Sequence, residues 1–179
     1  DSEGAVGNYN SIAIDSSGTV HISYSGQGNR GIRYATNSSG SWVTETVDSE
    51  GYEGCIAIDS SGKVHISYYQ DNDTLKYATN SSGSWVSETV DAERRVGYKN
   101  SIATDSSNKV HIIYYSSFPS ALLYATNSSG SWLGETVVSG EYLGGNRSIA
   151  TDSSGKVHIS YSGYANSKTD YLKYATNSS

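Results

Sequence analysis

The sequence predicts an all-β fold: a β-propeller of four antiparallel blades, each of about 45 residues. Three observations predict it. The block SIAIDSSG at Ser11 returns as CIAIDSSG at Cys55, SIATDSSN at Ser101 and SIATDSSG at Ser148, at spacings of 44, 46 and 47 residues. Each period holds four short segments rich in β-branched and aromatic residues, separated by Gly, Ser, Asn and Asp, which is the punctuation of antiparallel strands. The composition also fits: the 179 residues include 16 Tyr, one Pro and no Met, with 17% charged. A helical or coiled-coil chain would be rich in Leu, Ala, Glu and Lys, and an acidic disordered tail would lack the aromatics. A lone twisted four-stranded sheet buries its faces only against copies of itself, so recurrence at this period implies blades around an axis.

The strands of the first repeat set the pattern for the rest. Strand a is Ile12–Asp15, followed by the turn DSSG (DSSN in the third copy), which places Gly or Asn where a tight hairpin needs positive φ. Strand b is Val20–Tyr24, where a period of two puts Val20, Ile22 and Tyr24 on one face and His21 and Ser23 on the other. Strand c is Ile32–Thr36 and leads through NSSGS to strand d, Trp42–Val47. The d block reads WVTETV, WVSETV and WLGETV, and holds all three Trp. One domain, 1–179, is expected, with repeats 1–47, 48–90, 91–137 and 138–179. Fifteen strands follow, the last blade lacking its outer strand, so Leu172–Thr176 presents an uncovered edge of the kind proteins normally protect. Three arrangements meet that condition: an excerpt of a longer array, part of a larger ring completed by another chain, and a closed four-blade ring.

The stretch SIAIDSSGTVHIS resembles the first two strands of NHL-type and Asp-box propeller repeats, and the whole unit resembles repeats of secreted bacterial proteins. The resemblance spans essentially the full chain and implies the fold, since those families share no single activity. No full Asp-box ending in an aromatic is present, so sialidase-type chemistry is not implied.

Charge and apolar patterning exclude several classes. The net charge of −6 and the lack of a cationic face argue against nucleic acid held through phosphates. The apolar runs are strand-length, so neither membrane insertion nor a signal peptide is expected. Cys55 is the single cysteine and reads as a small buried hydrophobe.

Each repeat carries an Asp and a His, at Asp15/His21, Asp59/His65, Asp105/His111 and Asp152/His158. Catalysis needs one preorganised constellation, and four equivalent copies supply none, so these groups read as hydrogen-bonded ties within a blade, a role that resembles that of the Asp, His, Ser/Thr and Trp network in WD-repeat propellers. The His residues lie too far apart in sequence for a zinc site, and no cofactor is expected. The Asp side chains are expected to close Asx turns, and Glu45, Glu88 and Glu135 to point into solvent. Asn37, Asn72, Asn80, Asn127, Asn146 and Asn177 start Asn-Xaa-Ser/Thr triplets, read here as turn residues.

The informative contrast lies between the two rims. The a–b and c–d turns barely vary, whereas the b–c and d–a loops vary in length and chemistry and share the opposite rim. They carry Tyr52, Asp71, Asn72, Arg94, Arg95, Tyr98, Phe118, Tyr142, Arg147 and Tyr164, a composition suited to recognition on a rigid scaffold. The expected function is therefore a non-enzymatic, lectin-like module that binds carbohydrate through this rim. A surface-protein ligand and an assembling or adhesive scaffold are the alternatives. A glycan-processing enzyme would use rim carboxylates such as Asp71, Asp73, Glu93 or Glu141 in pairs, and no unique pair stands out. The low Lys and high Ser, Gly and Asn content suggests an extracellular or cell-surface setting.

Overall fold

The computed structural model describes residues 5–177 except 27, 29, 72, 94, 141 and 165–169, and the backbone alone of 142 and 170. Among the described residues fifteen strands form four antiparallel sheets, each with its strands in chain order. Blade 1 is β1 (Ser11–Ile14), β2 (Val20–Ser25), β3 (Ile32–Thr36) and β4 (Val43–Asp48). Blade 2 is β5 (Gly51–Ile58), β6 (Val64–Gln70), β7 (Thr74–Thr79) and β8 (Val86–Asp91). Blade 3 is β9 (Val96–Thr104), β10 (Val110–Ser117), β11 (Ser120–Thr126) and β12 (Leu133–Ser139). Blade 4 has three strands, β13 (Tyr142–Thr151), β14 (Val157–Tyr164) and β15 (Asp170–Thr176). The inner strands β1, β5, β9 and β13 stand side by side in that order, as in a β-propeller.

The core is a stack of layers between blades, built by the period-two alternation. Ile32 and Tyr34 of blade 1 pack on Ile56, Val64, Ile66 and Tyr68 of blade 2. Leu75 and Tyr77 of blade 2 repeat the contact on Ile102, Val110, Ile112 and Tyr114, and Leu122 and Tyr124 of blade 3 repeat it on Ile149, Val157, Ile159 and Tyr161. The approach is close: a Cβ added at Gly54 of blade 2 would lie 3.1 Å from Ile32 Cδ1 of blade 1. The other face of the second strand carries His and, in all but blade 3, a Ser two residues on; it is buried in blades 1 to 3 and more open in blade 4, and where it is buried its polar groups need partners.

Those partners are regular. His65 Nε2 lies 3.1 Å from Asp59 Oδ2 and Nδ1 lies 2.6 Å from the Tyr77 hydroxyl. The carboxylate holds the ring proton on Nε2, so Nδ1 accepts from the phenol. The same row recurs as Asp15–His21–Tyr34, Asp105–His111–Tyr124 and Asp152–His158–Tyr174. The His residues thus tie each blade as expected, but the third member is a Tyr from the adjoining strand; Ser23 instead donates across to Gly54 O of the next blade, and Ser67 to Asn100 Oδ1. Asp15 Oδ1 also accepts the Ser17 and Thr19 amides, the expected Asx turn. Asn37, Asn80, Asn127 and Asn177 each accept the amide of the first residue of a second strand, at 2.7–2.9 Å, which is what the repeated ATN segment does.

Two findings refine the expectations. First, Glu45 and Glu88 are exposed as expected but also tie blades together: Trp85 Nε1 donates to Glu45 Oε2 at 2.6 Å and Trp132 Nε1 to Glu88 Oε1 at 2.8 Å. Each indole also packs edge-on against the previous blade's Tyr34 or Tyr77, so the Trp–Glu–Tyr set clasps neighbouring blades and meets the previous blade's His row at its Tyr. Second, much of the variable rim is strand and not loop. Tyr52, Tyr98, Tyr142 and Arg147 lie on β5, β9 and β13, and Tyr164 on β14. Tyr52 pairs with Tyr69, Tyr98 with Tyr115 and Tyr142 with Tyr164 before a bulge interrupts the register. The bulge absorbs the extra residues at positive φ, at Glu53 and Lys99, so pairing resumes beyond it and Tyr keeps the pleated setting it favours.

Candidate functional site

The rim of blades 2 and 3 gathers a ladder of aromatic rings. Tyr52 meets Tyr69 edge-on at 4.8 Å between centroids, and Tyr69 stacks on Tyr98 at 4.0 Å. Tyr69 is buried, and its hydroxyl donates to Asp73 Oδ1 and shares a hydrogen bond with the Tyr98 hydroxyl, both at 2.8 Å. Burial first, then these oxygen neighbours, push the Tyr69 phenol far above its ordinary value, so it stays a neutral donor. Burial likewise raises Tyr52. The ladder continues across β9–β10 to Tyr115, the strand partner of Tyr98, and ends where the Arg147 guanidinium lies over the Tyr115 ring at 5.2 Å. Arg147 Nη2 donates to Gly144 O, while Nη1 is buried and finds no partner among the described residues.

Charged groups flank the ladder in pairs. Arg30 from blade 1 lies 3.1 Å from Asp71, and Arg95 lies 3.8 Å from Asp73. Both pairs are solvent-accessible, so each contributes at most about 1 kcal/mol and leaves its groups free to exchange partners. The segments are held by backbone bonds: Val96 N to Asp73 O and Ser117 N to Arg95 O. Asp73, Arg95, Ser117 and Phe118 line an open recess of about 610 Å³, with the Phe118 ring 68% exposed at its edge. An exposed ring beside a carboxylate and a guanidinium offers an apolar face together with acceptors and donors fixed at one edge.

Of the residues singled out in sequence, Tyr52, Asp71, Arg95, Tyr98 and Phe118 come together on this rim. Arg147 caps the ladder from blade 4, and Tyr164 lies on the far strand pair opposite Tyr142, apart from the recess. Asn72 and Arg94 lie outside the described residues, as does Glu141. Tyr69, Asp73 and Tyr115 are central to the cluster and were not among the expected binding residues. Their signal was available: only the second and third repeats read VHISYY and VHIIYY, with a doubled Tyr where the first and fourth have Tyr-Ser.

No protein-family model matches the chain, and no curated protein matches it. Solved structures do match in fold. AofleA from Arthrobotrys oligospora superposes with a TM-score of 0.70 at 14% identity over 95% of this chain, and this chain spans 54% of AofleA. The SapL1 lectin, solved in complex with alpha methyl fucoside, gives 0.60 at 14% identity, covering 95% of this chain and 64% of that one. The intramolecular trans-sialidase from Ruminococcus gnavus, in complex with oseltamivir carboxylate, gives 0.57 at 13% identity, covering 93% and 42%. The chain therefore spans about half to two thirds of the two nearer matches cited. The trans-sialidase corrects the expectation that the chain is not an enzyme: the same architecture carries catalysis, so the fold gives no ground for that exclusion.

Proposed function

We propose that the chain binds carbohydrate at the rim of blades 2 and 3. The observation that carries the reading is the exposed Phe118 ring set against the Asp73–Arg95 pair over an open recess, beside stacked Tyr69 and Tyr98 with Tyr52 edge-on to Tyr69. Sugars present apolar C–H faces and rings of hydroxyls, which suit an aromatic platform bordered by ionic hydrogen-bonding groups. Rigid strands hold the ladder, so little ordering cost falls on binding. A lectin among the fold neighbours, solved with a fucoside, makes methyl α-fucoside the first probe. The same reading extends to Arg147, which lies over the Tyr115 ring, and takes in Tyr142 and Tyr164 of blade 4 as further rim positions. The narrower kinship with NHL-type and Asp-box repeats of secreted bacterial proteins, and an extracellular or cell-surface location, belong to this proposal as well. A surface-protein ligand is the same rim's alternative.

The test is a glycan-array screen followed by titration of the best sugar and of methyl α-fucoside, read by NMR chemical-shift changes. Binding is expected to weaken about tenfold in Phe118→Ala, about 1.4 kcal/mol, and to a similar degree in Arg95→Ala. Lack of saturable binding to every sugar tried, or binding indifferent to both substitutions, overturns the proposal.

A further inference from the structure

The two ends of the blade array are unburied in a complementary way. Positions that are sealed at every internal blade contact lie open on one face of blade 1 and on the opposite face of blade 4. Leu172 of β15 is 82% exposed, whereas its repeat equivalents Ile32, Leu75 and Leu122 are fully buried. Tyr174 is 61% exposed, against buried Tyr34, Tyr77 and Tyr124. On blade 1, Ile12 is 64% exposed where Ile56, Ile102 and Ile149 are buried, and Trp42 is exposed where Trp85 and Trp132 pack into the core clusters. A recess of about 350 Å³ opens on that face between Ile22, Tyr24, Ala35 and Trp42, the equivalents of the residues that seat Ile32 and Tyr34 inside the molecule.

The polar groups match as well. At the blade 2–blade 3 contact, Asn100 Nδ2 donates to Gly97 O, which turns its Oδ1 to accept the Ser67 hydroxyl at 2.6 Å. On blade 1, Asn10 Nδ2 donates to Gly7 O at 3.0 Å in the same manner, and Asn10 is exposed. The equivalent of Ser67 on blade 4 is Ser160, also exposed. One face thus carries the oriented acceptor and the other the donor of a bond already made inside the molecule.

We propose that blade 4 of one copy docks on blade 1 of a second copy, with Leu172 and Tyr174 seated against Ile12, Ile22 and Trp42 and Ser160 donating to Asn10. The internal contacts identify the occupant: each face is the repeat equivalent of the surface that covers the other. The joint differs from an internal one in a single respect, since blade 4 presents no equivalent of the glutamate that receives an indole N–H elsewhere among the described residues. The contact is heterologous, so it propagates into a ring where the rotation closes and into an open filament where it does not.

Sedimentation velocity over about 1 µM to 1 mM tests it on the chain as it stands, with Ile12→Asp closing one face and Leu172→Asp the other. The wild-type mass is expected to rise with concentration in multiples of the chain, and each variant alone to remain monomeric. An equimolar mixture of the two variants is expected to stop at a dimer, because only one competent joint remains between them. A wild-type chain that stays monomeric throughout, variants that associate like wild type, or a mixture that does not dimerise each overturns the proposal. Both substitutions replace exposed side chains, and an unchanged near-ultraviolet circular dichroism spectrum in dilute solution checks folding. Should either variant unfold, Ile14→Lys and Tyr174→Lys on the same faces replace them, with the same expected outcomes.

Discussion

Leu75 and Leu172 occupy the same position of the repeat in opposite environments, which allows one chain to serve as its own control. Leu75 is fully buried among Tyr77, Val96, Ile102 and Val110, so Leu75→Ala removes three carbons from a packed layer between blades 2 and 3. The Gly97 backbone lies against the Leu75 backbone, where an added Cβ would meet Leu75 Cα at 3.0 Å, so the layer has little room to collapse into the space left. The expected loss is about 3 kcal/mol, within the range for buried Leu→Ala. For a chain of this size that lowers the melting midpoint by about 6–12 °C. Leu172→Ala removes the same atoms from a site 82% exposed, and its expected effect stays within about 0.5 kcal/mol. Thermal and urea unfolding followed by circular dichroism, in dilute solution so that association contributes nothing, reads both. Equal losses in the two variants, or a loss below 0.5 kcal/mol for Leu75→Ala, would refute the account of the core as layers sealed between blades.

Three further outcomes follow from the polar ties. Tyr77→Phe strips the donor from buried His65 Nδ1 and is expected to cost about 1–3 kcal/mol, while Tyr174→Phe, beside the more exposed His158, costs less; urea midpoints compare them. A double-mutant cycle of Trp85→Phe with Glu45→Gln is expected to give a coupling of about 1 kcal/mol, and additive losses would dissolve the clasp between blades 1 and 2. Burial pulls His65 below 6.5 despite the opposing Asp59 carboxylate, so the unfolded chain takes up its proton first. Asp15 is held well below 3.8, chiefly by the Ser17 hydroxyl and the Thr19 amide, and Asp152 likewise by Ser154 and His158. In Asp59 and Asp105 burial acts upward but is outweighed by amide and His hydrogen bonds, leaving both below 3.8. All five shifts are downward, so their stabilisation is complete above the unfolded values and declines as pH falls, first below 6.5 and again below 3.8. Stability that increases between pH 7 and pH 5 would contradict this assignment.

The propeller was legible because its signals are local and repeated. The block spacing marks the blades, the DSSG and NSSGS turns mark the hairpins, and the alternation in Val20–Tyr24 separates the apolar face from the face that carries His21 and Ser23. The candidate site was legible in part: Tyr52, Arg95, Tyr98 and Phe118 stood out as variation on a constant frame, and they meet on one rim. Tyr69 and Tyr115 passed unnoticed because the doubled Tyr reads as ordinary strand composition until the neighbouring blade supplies Tyr98 to stack on Tyr69, and Asp73 stood out only as one rim carboxylate among several. The same holds for Glu45 and Glu88, which look like solvent-facing residues of an amphipathic outer strand. Their partners, Trp85 and Trp132, lie 40 and 44 residues away.

The sequence by itself determined the strands, their order within a blade and the number of repeats, because period, turn chemistry and alternation act over a few residues. Only the tertiary structure decided which side chains of different blades meet. Bulges at Glu53 and Lys99 carry pairing onward into the rim and set Tyr52 and Tyr98 against Tyr69. The exposure of Leu172 and the burial of Leu75 have the same local cause and opposite outcomes, since a residue's burial depends on the blade that lies over it.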